Sequence, residues 1–172
     1  MSLTPTATPC SSSSPRWGED YAYDIIADLN NFVSGWVDWN IVLDTTGGPN
    51  WAGNVVDAPI LVDPARQLWY LQPSFFYLAH FTRFLPPGSL RLGTSTQGSL
   101  PFLAELDATA ALDPTGGYLV VVVLNRGLRA LDFTLDIPGR GSLRLHLPAR
   151  AIQTLVMLAG DKASAMEAVS EM

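Results

Sequence analysis

Gly35-Trp36-Val37-Asp38-Trp39-Asn40-Ile41-Val42-Leu43 is a short apolar, aromatic run that follows a helical stretch after one glycine. A run of this length and composition predicts a buried strand. Alternation sets Trp36, Asp38 and Asn40 on one face and Val37, Trp39 and Ile41 on the other. Upstream, Tyr21, Ile25, Leu29, Phe32 and Val33 recur at helical spacing. Glu19 and Asp20 sit where the helix dipole favours them, and Gly35 is the C-cap candidate. Downstream comes a glycine-rich stretch over residues 44–54, then an apolar run from Ala58 to Val62 ending at Asp63-Pro64. A second helix is expected from about Gln72 to Leu85. Pro73 fits its first turn, Phe75, Phe76, Leu78, Ala79, Phe81, Phe84 and Leu85 give a wide apolar stripe, and Pro86-Pro87-Gly88 stops it. Helix, strand, long loop and helix in this order read as the closing portion of an α/β barrel, since a whole (β/α)8 barrel needs roughly 250 residues.

The pattern then changes. All five tryptophans lie at or before Trp69, and residues 88–159 are dominated by Leu, Val, Gly and Pro. Leu90 to Thr96, Leu103 to Leu112, Tyr118 to Leu124, Leu131 to Ile137, Ser142 to Leu147 and Ile152 to Leu158 are candidate strands. The turns between them are explicit at Asp113-Pro114-Thr115-Gly116-Gly117, Asn125-Arg126-Gly127 and Pro138-Gly139-Arg140-Gly141. Leu119 to Leu124 is unbroken apolar sequence, which predicts a strand buried on both faces. The regular spacing predicts an antiparallel β-sandwich. Four zones result: a disordered Ser/Thr/Pro leader over residues 1–15, a barrel portion over 16–87, a β-sandwich domain over 88–159 and a polar tail over 160–172.

Of the 172 residues, 48 % are hydrophobic and 15 % charged, so a packed core is expected. A net charge of −6 disfavours a nucleic-acid partner. The single cysteine, Cys10, can neither close an internal disulfide nor anchor a zinc site. His80 and His146 read as structural or surface histidines. No apolar stretch reaches the ~18 residues of a membrane span, the leader lacks the basic and apolar regions of a signal peptide, and no Asn-x-Ser/Thr sequon occurs. No phosphate-binding loop, nucleophile elbow or metal cluster is present, and no cofactor is called for. Pro49 removes a donor from the Gly47-Gly48-Pro49 loop, which suits a rigid turn better than an anion nest.

What remains is an aromatic and amide cluster: Trp36, Trp39, Asn40, Asn50, Trp51 and Asn54. An indole offers a flat face for the C–H face of a sugar ring, and an amide both donates to and accepts from a hydroxyl. The same residues could equally be core tryptophans and turn-forming amides. Position favours the sugar: in barrels the functional groups sit at strand C-termini and in the loops beyond, where Trp39 and Asn54 fall. Asp38, on the opposite face from Trp39, reads as a structural acid.

The ordered series Tyr21-Ala22-Tyr23-Asp24-Ile25-Ile26-Ala27-Asp28-Leu29, Gly35-Trp36-Val37-Asp38-Trp39-Asn40, Gly47-Gly48-Pro49-Asn50-Trp51, Asp57-Ala58-Pro59-Ile60, Tyr77-Leu78-Ala79-His80-Phe81, Phe84-Leu85-Pro86-Pro87-Gly88-Ser89 and Val120-Val121-Val122-Val123-Leu124-Asn125 resembles glycoside hydrolase family 30, and within it the glucosylceramidases. The likeness covers residues 17–157. It implies a (β/α)8 barrel with an attached β-sandwich, and hydrolysis of a β-glucosidic bond with retention by an acid/base and a nucleophilic carboxyl. By the same resemblance the substrate is glucosylceramide, Trp39 lines the glucose pocket, Asn54 bonds a sugar hydroxyl, and Trp51 and Val55 belong to the loop at the pocket mouth. An activator protein, an acidic membrane surface and a lysosomal setting are implied too. Both family glutamates fall upstream of residue 17, so the resemblance implies no catalytic residue here and an inactive 172-residue chain. The alternatives are another family 30 activity, such as a β-1,6-glucanase, or a non-catalytic carbohydrate-binding or regulatory module.

Overall fold

The structure, a computed structural model, describes residues 15–53, 56–98 and 105–160. Nearly all of the leader and tail expected at the two ends lies outside these residues. Helix α1 (Pro15–Asn30) opens the described chain. Its end differs from the sequence expectation: Phe32, at φ 67°, takes the left-handed position expected near Gly35. The Phe32 amide donates to the Leu29 carbonyl and the Val33 amide to the Asp28 carbonyl. This pair of bonds closes a helix C-terminus and satisfies its open carbonyls. The Arg91 guanidinium lies 4.7 Å above the Phe32 ring and holds it in place.

The strand expected over residues 36–43 is shorter. β1 is Val42–Asp44, paired in parallel with β2 (Ile60–Asp63). Nor is the run buried as expected: residues 36–41 alternate with the expected period, but Val37, Trp39 and Ile41 are exposed, because among the described residues no strand lies alongside to give them a ladder. A strand that the sequence reading missed, β3 (Leu68–Leu71), pairs antiparallel with β2. Gln67, at φ 56°, makes the turn before it. Helix α2 (Pro73–Thr82) begins with proline in its first turn, as expected.

The second half forms two packed sheets. β4 (Leu90–Leu92), β5 (Leu106–Leu112), β6 (Tyr118–Asn125) and β9 (Ala151–Leu158) make a four-stranded antiparallel sheet in the order β4-β5-β6-β9. β7 (Leu131–Ile137) and β8 (Gly141–Leu147) form a hairpin. β6 is buried on both faces, as its apolar run requires. Leu119, Val121 and Val123 meet Leu147, Phe133 and Leu135 of the hairpin. Val120, Val122 and Leu124 meet Ala22, Ile25 and Ile26 of α1 and Phe81 of α2. One strand therefore joins the helical layer to the sandwich core, and this fixes α1, and the segment that follows it, against the sheet.

Polar groups lock the joint. Glu19, 4 % exposed, receives two hydrogen bonds from Arg150, at 2.7 and 3.0 Å. Asn125 is fully buried and donates to the carbonyls of Arg129 and Pro148, each at 2.8 Å, while its own carbonyl accepts from the Gly127 amide at 2.9 Å. His80 Nδ1 lies 2.8 Å from Thr154 Oγ1, joining α2 to β9.

Candidate functional site

Trp39 precedes β1 by three residues. Its neighbours fix its direction. Trp36 packs edge-on against Tyr21 of α1, ring centroids 5.5 Å apart, and donates its indole N–H to Asp24 at 2.8 Å. Asp38 Oδ1 accepts from the Tyr21 hydroxyl at 3.3 Å and from the Trp39 amide at 2.8 Å. Trp36 and Asp38 are thus tied to α1, and alternation turns Trp39 the other way, 86 % exposed. Burial, reinforced by the Asp38 carboxylate and by Asp57, pushes the Tyr21 phenol above its ordinary value, so it remains a donor to Asp38.

Beside Trp39 lies a cavity of about 400 Å³, edged by Trp17, Tyr21, Asp38, Asp57, Ala58 and Ser74. Three aromatic rings at its rim suit the apolar face of a sugar ring. The two carboxylates make structural hydrogen bonds through Oδ1, while Asp38 Oδ2 is buried without a hydrogen-bond partner among the described residues. Asp38 holds Tyr21 and the Trp39 backbone; Asp57 Oδ1 accepts from the Ala58 amide and from Gln72 Nε2, both at 2.8 Å. Among the described residues no group of three His, Cys, Asp or Glu could hold a metal ion.

The loop after β1 is organised by Asp44, whose Oδ1 accepts from the Thr46 hydroxyl, the Thr46 amide and the Gly48 amide. These donors, the Thr46 hydroxyl first, hold the Asp44 carboxyl below its ordinary value. The loop is the rigid turn its glycines and proline suggest. Trp51 projects from it 98 % exposed and does not line the cavity. Asn54 and Val55 lie outside the described residues. The structure therefore places Trp39 at a cavity edge, leaves Trp51 apart, and does not bear on Asn54 or Val55. Trp17, Tyr21 and Ser74 at the rim escaped the sequence reading. The Trp17–Tyr21 spacing of four on one helix face was the available signal.

An α/β layer with an exposed aromatic edge, docked on an antiparallel sandwich, is the architecture of a barrel portion with an attached β-sandwich. Residues 11–85 match the glycosyl hydrolase family 30 TIM-barrel domain and residues 88–155 the family's β-sandwich domain. The chain belongs to glycosyl hydrolase family 30, carrying a portion of the barrel followed by the sandwich. Lysosomal acid glucosylceramidase of Mus musculus is 41 % identical over 137 residues, 80 % of this chain and 26 % of the mouse protein. The chain thus spans about a quarter of the length of the curated relatives it matches. The crystal structure of SrfJ from Salmonella typhimurium superposes with a TM-score of 0.76 at 28 % identity, covering 90 % of this chain and 34 % of SrfJ. An endo-β1,6-glucanase superposes with a TM-score of 0.69 at 17 % identity over 87 % of this chain and 34 % of its own, a likeness of fold.

Proposed function

We infer that this chain supplies one wall of the sugar pocket of a retaining β-glucosidase that hydrolyses glucosylceramide to glucose and ceramide. The observation that carries this reading is Trp39. It is turned outward by the Tyr21–Asp38 contact, is exposed at a cavity edge, and lies in a chain 41 % identical to a glucosylceramidase over 80 % of its length. On this reading Trp39 stacks on the glucose ring, Asn54 bonds a ring hydroxyl, and Trp51 and Val55 belong to the loop at the pocket mouth.

Retention requires an acid/base carboxyl and a nucleophilic carboxylate about 5–5.5 Å apart. Asp38 and Asp57, the carboxylates at this cavity, each make structural hydrogen bonds through Oδ1; on this reading neither reacts, and the reacting pair belongs to other barrel strands. The 172-residue chain is accordingly inactive by itself. A lysosomal setting, an acidic membrane surface and an activator protein belong to the same proposal, as the surroundings of the whole enzyme.

Incubation of the purified chain with a fluorogenic β-glucoside tests this reading. The expected result is no release above a buffer blank. Turnover that copurifies with the chain would place a reacting carboxyl within it and overturn the assignment. Joined to a complete barrel, the chain supports glucosylceramide cleavage, and Trp39→Ala lowers kcat/KM by about five- to thirtyfold, the loss of one stacking contact of roughly 1–2 kcal/mol.

A further inference from the structure

We propose that the seam between α1 and the sandwich holds a second binding site, separate from the Trp39 cavity, for a neutral polyhydroxyl ligand such as a sugar ring. β4 stops short: Leu90–Leu92 pairs with Leu112 back to Ala110, so β5 continues through Ala108, Asp107 and Leu106 without β4 beside it. The gap left along that edge is a pocket of about 350 Å³, lined by Tyr23, Asn30, Asn31, Thr94, Thr96 and Asp107. This volume lies within the roughly 300–1,000 Å³ of small-molecule sites.

Amides, hydroxyls and a carboxylate interrupt an otherwise apolar lining of Ile26, Ala27, Leu106 and Ala108. Tyr23, Ile26, Ala27, Asn30 and Asn31 follow helical spacing down the side of α1 that faces β5. Ile26 is buried in the core, yet one turn further the same side carries two amides. Opposite them stand two threonines rather than Leu or Val. Asn30 Nδ2 and Thr94 Oγ1 both donate to the Ala108 carbonyl, at 2.9 and 3.3 Å, so the exposed edge of β5 is already engaged by side chains of the site. Asn30 Oδ1 is buried and has no protein partner. One wall is stiffened from behind. Arg126 bonds Asp107 at 2.7 Å and lies 4.1 Å over the Tyr23 ring.

Amides and hydroxyls that both donate and accept match hydroxyl groups. The Asp107 carboxylate in the wall disfavours an anion, and the polar lining disfavours a lipid tail. The site joins α1, which leads to Trp39, to the sandwich, so an occupant bridges the two layers. Its existence does not depend on the glucosylceramidase reading, because Trp39 takes no part in it.

Titration of the ¹⁵N-labelled full chain with methyl β-glucoside and with cellobiose tests the proposal. Saturable shifts are expected at the side-chain amides of Asn30 and Asn31 and the backbone of Thr94 and Thr96. Thr94→Val and Asn31→Ala, both at exposed positions, each weaken binding about five- to tenfold, the loss of one hydrogen bond. An unchanged unfolding midpoint shows that these variants still fold. Trp39→Ala leaves the seam shifts and the affinity in place. Shifts that do not saturate, that Thr94→Val and Asn31→Ala leave unaltered, or that vanish with Trp39→Ala would overturn the seam site. None of these outcomes counts against the Trp39 reading, and the last would assign the sugar binding to the Trp39 cavity.

Discussion

Arg150 adopts a left-handed backbone angle, φ 54°, at the turn between β8 and β9, and from there its guanidinium reaches Glu19, 131 residues away in sequence. The pair is unequally buried: the Glu19 side chain is 6 % exposed and the Arg150 side chain 37 %. Removing the arginine therefore strands the more deeply buried charge. Arg150→Met is expected to cost about 3–5 kcal/mol in urea unfolding. Glu19→Gln costs less, because the arginine left behind still reaches water. The double variant recovers most of the loss, since it leaves no buried carboxylate, and a double variant as unstable as Arg150→Met would show that the charge is not the cause. Glu19 illustrates what sequence can and cannot reveal at this scale. The sequence reading placed it at the helix start as a dipole partner, but α1 begins at Pro15 and its first turn holds no acid; its true partner comes from the far end of the chain, which no local pattern encodes. Asn125, by contrast, announced itself as a turn residue after a long apolar run; it ends β6 and holds the loops beyond, by binding the Arg129 carbonyl of the next loop and the Pro148 carbonyl between β8 and β9.

β6 was the most legible element because six consecutive apolar residues leave no polar face to expose, and a strand in that state must be covered twice. Leu124, in the core beneath α1 and α2, should lose roughly 2–5 kcal/mol on truncation to Ala. Leu143, half-exposed on β8, should lose well under 1 kcal/mol. Chemical denaturation of the two variants checks the contrast. β3 was missed for the opposite reason: four residues are too few for a period, and the turn before it uses Gln67 at a backbone angle that sequence rules assign to Gly or Asn. The joint between α2 and β9 carries a pH signature. Burial lowers the His80 pKa from its ordinary 6.5. The unfolded chain then binds a proton more readily than the folded one, so stability falls as pH drops from about 6.5 toward the folded value, and is flat from this source above it. His80→Gln, which can still bond Thr154, should remove that slope from stability measured against pH. An unchanged slope would assign the dependence to another group.

On the scale of the molecule, the two layers differ in how well each covers its own apolar surface. The sandwich closes: its inner face is filled by β6, β9 and the β7–β8 hairpin. The barrel portion does not close among the described residues. β1 pairs with β2 alone, leaving its other edge open, and beside that edge Val37, Trp39, Ile41 and Val42 stand exposed. Fold class was readable because the barrel pattern gives way to the sandwich pattern near Pro86-Pro87-Gly88. The exposed side of residues 36–42 was readable only as a period, since periodicity gives two faces and not which of them is covered. An open edge next to apolar side chains pairs readily with another chain, and a contiguous patch of this kind exceeds what a monomer usually leaves bare. The chain is therefore expected to self-associate through this side, with sedimentation velocity showing species larger than the monomer that grow with concentration. Val37→Lys with Ile41→Lys places two like charges on the patch without touching the Trp36 and Asp38 contacts to α1. These substitutions should restore the monomer while leaving the unfolding midpoint within about 0.5 kcal/mol of the parent, as for other surface changes. Lysine pairs placed instead at Thr134 and Ser142 of the hairpin should leave self-association unchanged. If they abolish it and the Val37 and Ile41 pair does not, the sandwich and not the barrel edge is the adhesive surface.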